Sequence, residues 1–185
     1  KRQARLNMIR VQMNTDHINH TTEMTIPKIL KKVNPKYVTA HFGKWGMGIS
    51  NSKMGIDFGV HPSVLGYDYS DGKTANRDGG FHPPEWKFST SEDPKKIYSL
   101  TQRSITFIEQ QSKLNNPFYL QLSHYAVHSN IQATKRSLEK YEQKEKGRIH
   151  KNTYFAALTE DLDDSVGILL DKLHEFGIAN NTYVI

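Results

Sequence analysis

The order of elements readable along the chain is helix, strand, long loop, helix, strand, helix, strand. That order predicts an α/β fold with a mostly parallel sheet flanked by helices on both faces. Two stretches carry most of the prediction. Tyr37 to Gly48, YVTAHFGKWGMG, opens as a buried-strand run and breaks at Gly43, which sets Lys44 just past the break. Pro117 to His128 repeats the logic: PFYLQLSHY has the aromatic and aliphatic content of a strand, and His128 falls in the loop beyond it. Open α/β sheets keep their ligands at the carboxyl ends of their strands, so the two stretches aim Lys44 and His128 at one crevice, read as an anion site.

The remaining elements follow from period and punctuation. Residues 1 to 20 are polar, lack a clear period and read as loop. Thr25-Ile26-Pro27 reads as a helix start, Ile26, Ile29, Leu30 and Val33 recur at helical spacing, and Asn34-Pro35 ends the element. From Gly43 to Asp93 the composition shifts to Gly, Pro, Asp, Asn and Ser, a long excursion in which Trp45, Tyr67, Phe81 and Trp86 argue for packing and a short strand is expected around Trp86 to Phe88. Asp93-Pro94 opens a helix to about Lys113 with Ile97, Leu100, Ile105 and Ile108 as its apolar positions, and Asn115-Asn116-Pro117 stops it. Lys135 to Arg148 reads as an exposed charged helix. Thr153 to Phe176 has the strongest helical period, through Leu158, Leu162, Val166, Leu169, Leu170 and Leu173, with Gly177 at its left-handed cap. Thr182 to Ile185 has strand composition. No boundary divides the chain, so residues 1–185 are expected to form a single partial domain with a loop excursion at about 43–93.

Twenty-five Lys and Arg against 19 Asp and Glu give a net charge of +6, which favours anionic partners by long-range steering. The lysines, among them Lys31, Lys32, Lys95, Lys96, Lys144 and Lys146, are scattered and not interleaved with aromatics, so most of them read as solvated surface, and nucleic acid is not expected as a partner. No apolar run approaches the ~20 residues that span a bilayer. With no cysteine, the chain offers neither disulfides nor thiolate ligands. Asp161, Asp163 and Asp164 sit in the long amphipathic helix and read as solvated or locally paired, not as metal ligands. Asp71, Asn76 and Arg77, in the polar stretch from Asp68 to Gly80, are candidates for substrate contacts.

Four motifs in order resemble the type I sulfatases. TAHFGKWGMG resembles their strand followed by G-K-W-H-x-G, VLGYDYSDG their Gly-Phe-Asp turn, and PFYLQLSHYAVHSN their strand and histidine loop. YFAALTEDLDDSVGILLDKLHEFGIANNTYVI resembles the helix and strand that precede their metal-binding Asp-Asn-Gly. The resemblance implies an alkaline phosphatase-like fold and a hydrolase of sulfate esters acting on a sulfated carbohydrate or aryl sulfate. It also implies a formylglycine nucleophile, a calcium ion, and a periplasmic, secreted or lysosomal location. It gives Lys44 the role of the lysine on the sulfate and His128 that of the histidine near the leaving oxygen. The nucleophile segment and the calcium ligands are expected outside the two ends of this chain, so the isolated 185 residues are expected to be inactive. One departure bears on mechanism: the family's histidine two residues after the lysine is Gly46 here, and His41 is the nearest histidine, read as a core residue. The alternatives are a non-catalytic module that binds anionic glycans and a phosphoesterase of the same superfamily.

Overall fold

A computed structural model describes residues 22–46, 50–51, 56–57, 60–80 and 87–185. The loop expected at the start, together with Phe81, His82 and Trp86, lies outside the described residues.

Helix α1, Ile26–Val33, starts where Thr25 accepts a hydrogen bond from the Lys28 amide and stops at Asn34, in keeping with the capping signals. Its apolar stripe does not enter a core. Ile26, Ile29 and Val33 are exposed, and the helix is anchored through buried Pro27 and through Thr25, whose hydroxyl donates to the Leu65 carbonyl at 2.5 Å.

Strand β1, Val38–Gly43, lies at the centre of a parallel three-stranded sheet. On one side it pairs with β6, Phe118–Ser123, in register from Val38 opposite Phe118 to Gly43 opposite Ser123. On the other it pairs with the short β4, Tyr69–Ser70, with Ala40 opposite Tyr69. Side chains alternate across a sheet, so Ala40 and Phe42 face one way and Thr39 and His41 the other. The first face packs on α2, Ile97–Lys113, through Leu100, Phe107 and Ile108. The second is filled by the excursion, where Trp45, Leu65 and Tyr67 cluster with Tyr119 and Val60. Burial of Trp45 and Tyr67 makes the Gly-rich excursion a packed element around the sheet, as its aromatics predict.

The excursion contains an antiparallel pair, β2 (Ser50–Asn51) with β3 (Ile56–Asp57), and β5, Phe88–Thr90, which lies parallel to β7, Ile131–Ala133. The short strand expected near Trp86 to Phe88 thus falls two residues later. Pro94 to Lys96 forms a separate 3-10 turn before α2, while the Asp93 carboxylate still accepts the amides of Tyr98 and Ser99 at 2.9 and 3.3 Å. At the far end of α2, Asn115 takes the left-handed conformation at φ 53°, and Asn116 and Asn115 return their amides to the carbonyls of Gln111 and Ser112.

Helix α3, Lys135–Gln143, is shorter than expected, and α4, Thr153–Glu175, ends as expected with Gly177 at φ 69°. The buried side of α4 holds much of the predicted leucine ladder, with Leu158 and Leu173 buried and Leu162 and Leu169 packed against the core, but Val166 and Leu170 are exposed and Ala157, Asp161 and Ser165 complete the face. Asp161, expected to be solvated or locally paired, is fully buried. Its carboxylate accepts from the Thr134 amide and hydroxyl, both at 2.8 Å, from Ser137 at 2.6 Å and from the Tyr98 phenol at 3.3 Å. The reason is tertiary: Thr134 caps α3, and an anion is stabilised at that helix N-terminus. Asp164, as expected, is paired, with Arg136. Asp161→Ala strands several buried donors at once, each costing about 1–3 kcal/mol. We expect a loss of about 3 kcal/mol or more in urea unfolding of the intact protein, and a loss below about 1 kcal/mol would refute the role.

Thr182 to Ile185 were expected to form a strand. Thr182 is extended, but these residues pair with no described strand, and Tyr183, Val184 and Ile185 are exposed.

Candidate active site at the carboxyl edge of the sheet

Gly43 makes the turn that presents Lys44. At φ 95° it lies in the left-handed region, and a Cβ there would sit 2.0 Å from the Ser123 carbonyl oxygen, so no side chain is admitted. The three amides of the turn and the Gly43 carbonyl are held. The Gly43 amide donates to Asp71 Oδ2 at 2.8 Å, the Lys44 amide to the Ser123 carbonyl at 2.7 Å, and the Trp45 amide to Thr74 Oγ1 at 2.8 Å. The Thr74 hydroxyl in turn donates to the Gly43 carbonyl at 2.5 Å, and the Trp45 indole donates to the Val60 carbonyl at 2.7 Å. Lys44 is therefore a half-buried side chain on a fixed base.

His128 leaves the same edge. It lies five residues past the end of β6, as Lys44 lies one past the end of β1, and the two strands are adjacent, parallel and in register. Its amide donates to the Tyr125 carbonyl at 3.1 Å, and the exposed ring donates from Nδ1 to the Ser129 carbonyl at 2.9 Å. That bond calls for a proton on Nδ1, which also lies 3.3 Å from the Ser129 hydroxyl, and leaves Nε2 as the nitrogen that exchanges protons.

His41 belongs to the core. It is 1% exposed, its Nε2 lies 3.1 Å from the Ser123 hydroxyl, and its ring meets the edges of Trp45 and Tyr67. Burial lowers its pKa against the opposing charge of Asp71, so the ring is neutral at pH 7. His124, at the end of β6, is pushed down to about 4 by burial, and its Nδ1 is enclosed without a partner.

The loop with the candidate substrate contacts abuts this edge. Gly79 packs so closely on Tyr125 that a Cβ would lie 2.3 Å from it, and Asn130 donates to the Gly80 carbonyl at 3.5 Å. Asp71 turns inward, its carboxylate shared by the Gly43 amide and the Arg103 guanidinium at 2.9 Å. Asn76 opens the 3-10 turn Asn76–Gly79, and its buried Oδ1 has no protein partner; Arg77 occupies the next position of that turn. Two clefts lie elsewhere, one of about 410 Å³ between α2 and Tyr69, the other of about 590 Å³ beside Lys31 and Tyr37.

Two residues of this region escape the sequence pattern. Thr74 clamps the Lys44 turn from 31 residues away, with nothing local to mark it. Lys95, expected on the surface, is 1% exposed, and its only local sign is its place between Pro94 and a helix start. Among the described residues no group of three or more His, Asp or Glu could hold a metal ion, and the sequence contains neither Cys nor Ser followed by x-Pro-x-Arg.

A family model described as Sulfatase matches residues 2–185. Among curated proteins the chain is 29% identical over 179 residues to N-acetylgalactosamine-6-sulfatase of Homo sapiens, covering 88% of this chain and 31% of that protein. It is 27% identical over 182 residues to arylsulfatase J of Mus musculus, covering 87% and 28%. Among solved structures it is similar to Ps i-CgsB in complex with k-i-k-neocarrahexaose, with a TM-score of 0.59 and 20% identity over 88% of this chain and 38% of that one. The chain spans about a third of the length of the curated relatives it matches.

Proposed function

The chain belongs to the sulfatase family, and from that premise we propose that the intact protein is a sulfuric ester hydrolase acting on a sulfated saccharide or an aryl sulfate. The observation that carries this reading is the delivery of an ammonium and an imidazole to one edge of the sheet by neighbouring, in-register parallel strands. Lys44 holds the sulfate oxygens and stabilises charge on the transferring group; a fixed cation in that role contributes about 10²- to 10³-fold. His128, doubly protonated with its Nδ1–H on the Ser129 carbonyl, gives its Nε2 proton to the ester oxygen as the S–O bond breaks and the sulfuryl group passes to an oxygen nucleophile of the intact protein, so the alcohol leaves neutral and the Nδ1–H tautomer remains. Asp71 serves through the Gly43 turn, while Asn76 and Arg77 are the candidates for contacts to the saccharide. The net charge of +6 and the sugar-sulfate and carrageenan-type names of the relatives support a sulfated carbohydrate. Calcium and formylglycine, if used, come from segments other than this one, and the location is periplasmic, secreted or lysosomal.

The test is a leaving-group series on the intact protein. Aryl sulfates should turn over in preference to aryl phosphates; the reverse preference would make the protein a phosphoesterase. His128→Ala should cost about 100-fold with an alkyl sulfate and several-fold less with nitrophenyl sulfate, whose leaving group needs little proton donation. Equal losses on both would remove His128 from the acid role. Gly46 favours a second reading, a non-catalytic module for anionic glycans, which predicts glycan retention without turnover of any sulfate ester.

A further inference from the structure

We propose that Lys95 is a positioning residue for His128: its buried ammonium and the His128 Nδ1–H share one acceptor, the Ser129 carbonyl oxygen. The inference rests on the reading of His128 as the group at the ester oxygen.

Lys95 Nζ donates to that oxygen at 3.2 Å, and His128 Nδ1 donates to it at 2.9 Å. A carbonyl oxygen has two lone pairs, and the two donors occupy both, so the carbonyl cannot turn toward one without releasing the other. Lys95 itself is locked. Its φ of 53° is left-handed, which turns the side chain inward from the start of α2, and its amide donates to Gln132 Oε1 at 2.9 Å. Residues 129 and 132 flank the His128 loop on the β7 side, so Lys95 holds that loop by main chain and side chain together.

The arrangement is costly for a purely structural contact. The ammonium is 1% exposed, and its one hydrogen-bond acceptor among the described residues is a neutral carbonyl, with no carboxylate beside it. Burial pushes it down to about 8, well below the ordinary lysine range, though it still carries its proton at pH 7. Methionine would fill the same volume without desolvating a charge. A cation retained there has an orienting use: it keeps the Ser129 carbonyl pointed at the imidazole, and that carbonyl selects the tautomer that leaves Nε2 for the substrate.

The experiment uses the intact protein with nitrogen-15-labelled histidine. In the parent, His128 should show the Nδ1–H tautomer. In Lys95→Met the His128 resonances should move toward a tautomer mixture and kcat should fall about tenfold with KM within about twofold. The unfolding temperature should hold or rise, and Lys95→Arg, which keeps a donor, should return part of the rate. Unchanged His128 resonances in a folded Lys95→Met protein would overturn the proposal. So would a lower unfolding temperature in both variants with resonances unmoved, which would make Lys95 a packing residue. Moved resonances with kcat unchanged would support the coupling and count instead against the acid role of His128.

Discussion

Lys44→Met in the intact protein should lower kcat on aryl sulfates by about 10²- to 10³-fold, the range measured when a single group stabilising transition-state charge is deleted. The substitution keeps the stem and removes the charge. The turn itself should survive, because its hydrogen bonds involve backbone atoms of Gly43, Lys44 and Trp45 and the side chains of Asp71, Thr74 and Trp45, never the Lys44 side chain. The unfolding temperature should therefore stay within about a degree or two of the parent. Lys44→Arg restores the charge but replaces a compact ammonium by a planar fork, so it should recover only part of the loss. A Lys44→Met protein that keeps more than about a third of parental kcat would show that the sulfate is held elsewhere.

Gly46→His should act in the opposite direction, raising turnover by about 100-fold, the lower end of what one positioned proton carrier supplies. The structure has room for it. A Cβ built at Gly46 meets nothing within 4 Å, and the residue is exposed with no left-handed backbone to resist a side chain. The contrast with Gly43, three residues earlier and closed to any Cβ, identifies Gly46 as a position where glycine is not required by the fold. The imidazole would stand two residues past Lys44, where the sulfatase pattern has one, a place that buried His41 cannot fill. Steady-state kinetics on the same aryl sulfate decide the matter. No gain, in a protein that binds sulfated glycan as the parent does, would show that the native route has no use for a base at that position.

Much of the fold was legible because the informative signals are local. Caps at Thr25, Asn115 and Gly177 and the hydrophobic runs of β1 and β6 depend on neighbours within a few residues, and the placement of Lys44 and His128 past strand ends follows from them. What was not legible depends on partners far along the chain. Asp161 reads as one more acid on a helix until α3 turns its N-terminus toward it, 27 residues away at Thr134. Lys95 reads as half of a surface lysine pair until its left-handed backbone directs it at Ser129, 34 residues on. The α1 stripe was visible by period, yet period reports amphipathicity and not what covers it, and Ile26, Ile29 and Val33 are exposed. Asp71 was marked by polarity, while its inward turn toward Gly43 and Arg103 depends on tertiary contacts that polarity does not encode.

The pairing of β1 with β6 joins residues 80 apart in the chain, as at Val38 and Phe118. Closing a segment of that length costs about 4 kcal/mol in chain entropy before any ladder bond compensates, so this contact belongs to the slow, high-contact-order class. On refolding, the helical hairpin of α3 and α4 can assemble early from nearby residues, whereas the edge that carries Lys44 and His128 must wait until the whole intervening excursion has collapsed. Acquisition of catalytic competence should lag recovery of helical signal, and in a cell that interval is the one in which the strand edges of β1 and β6 are open to other chains.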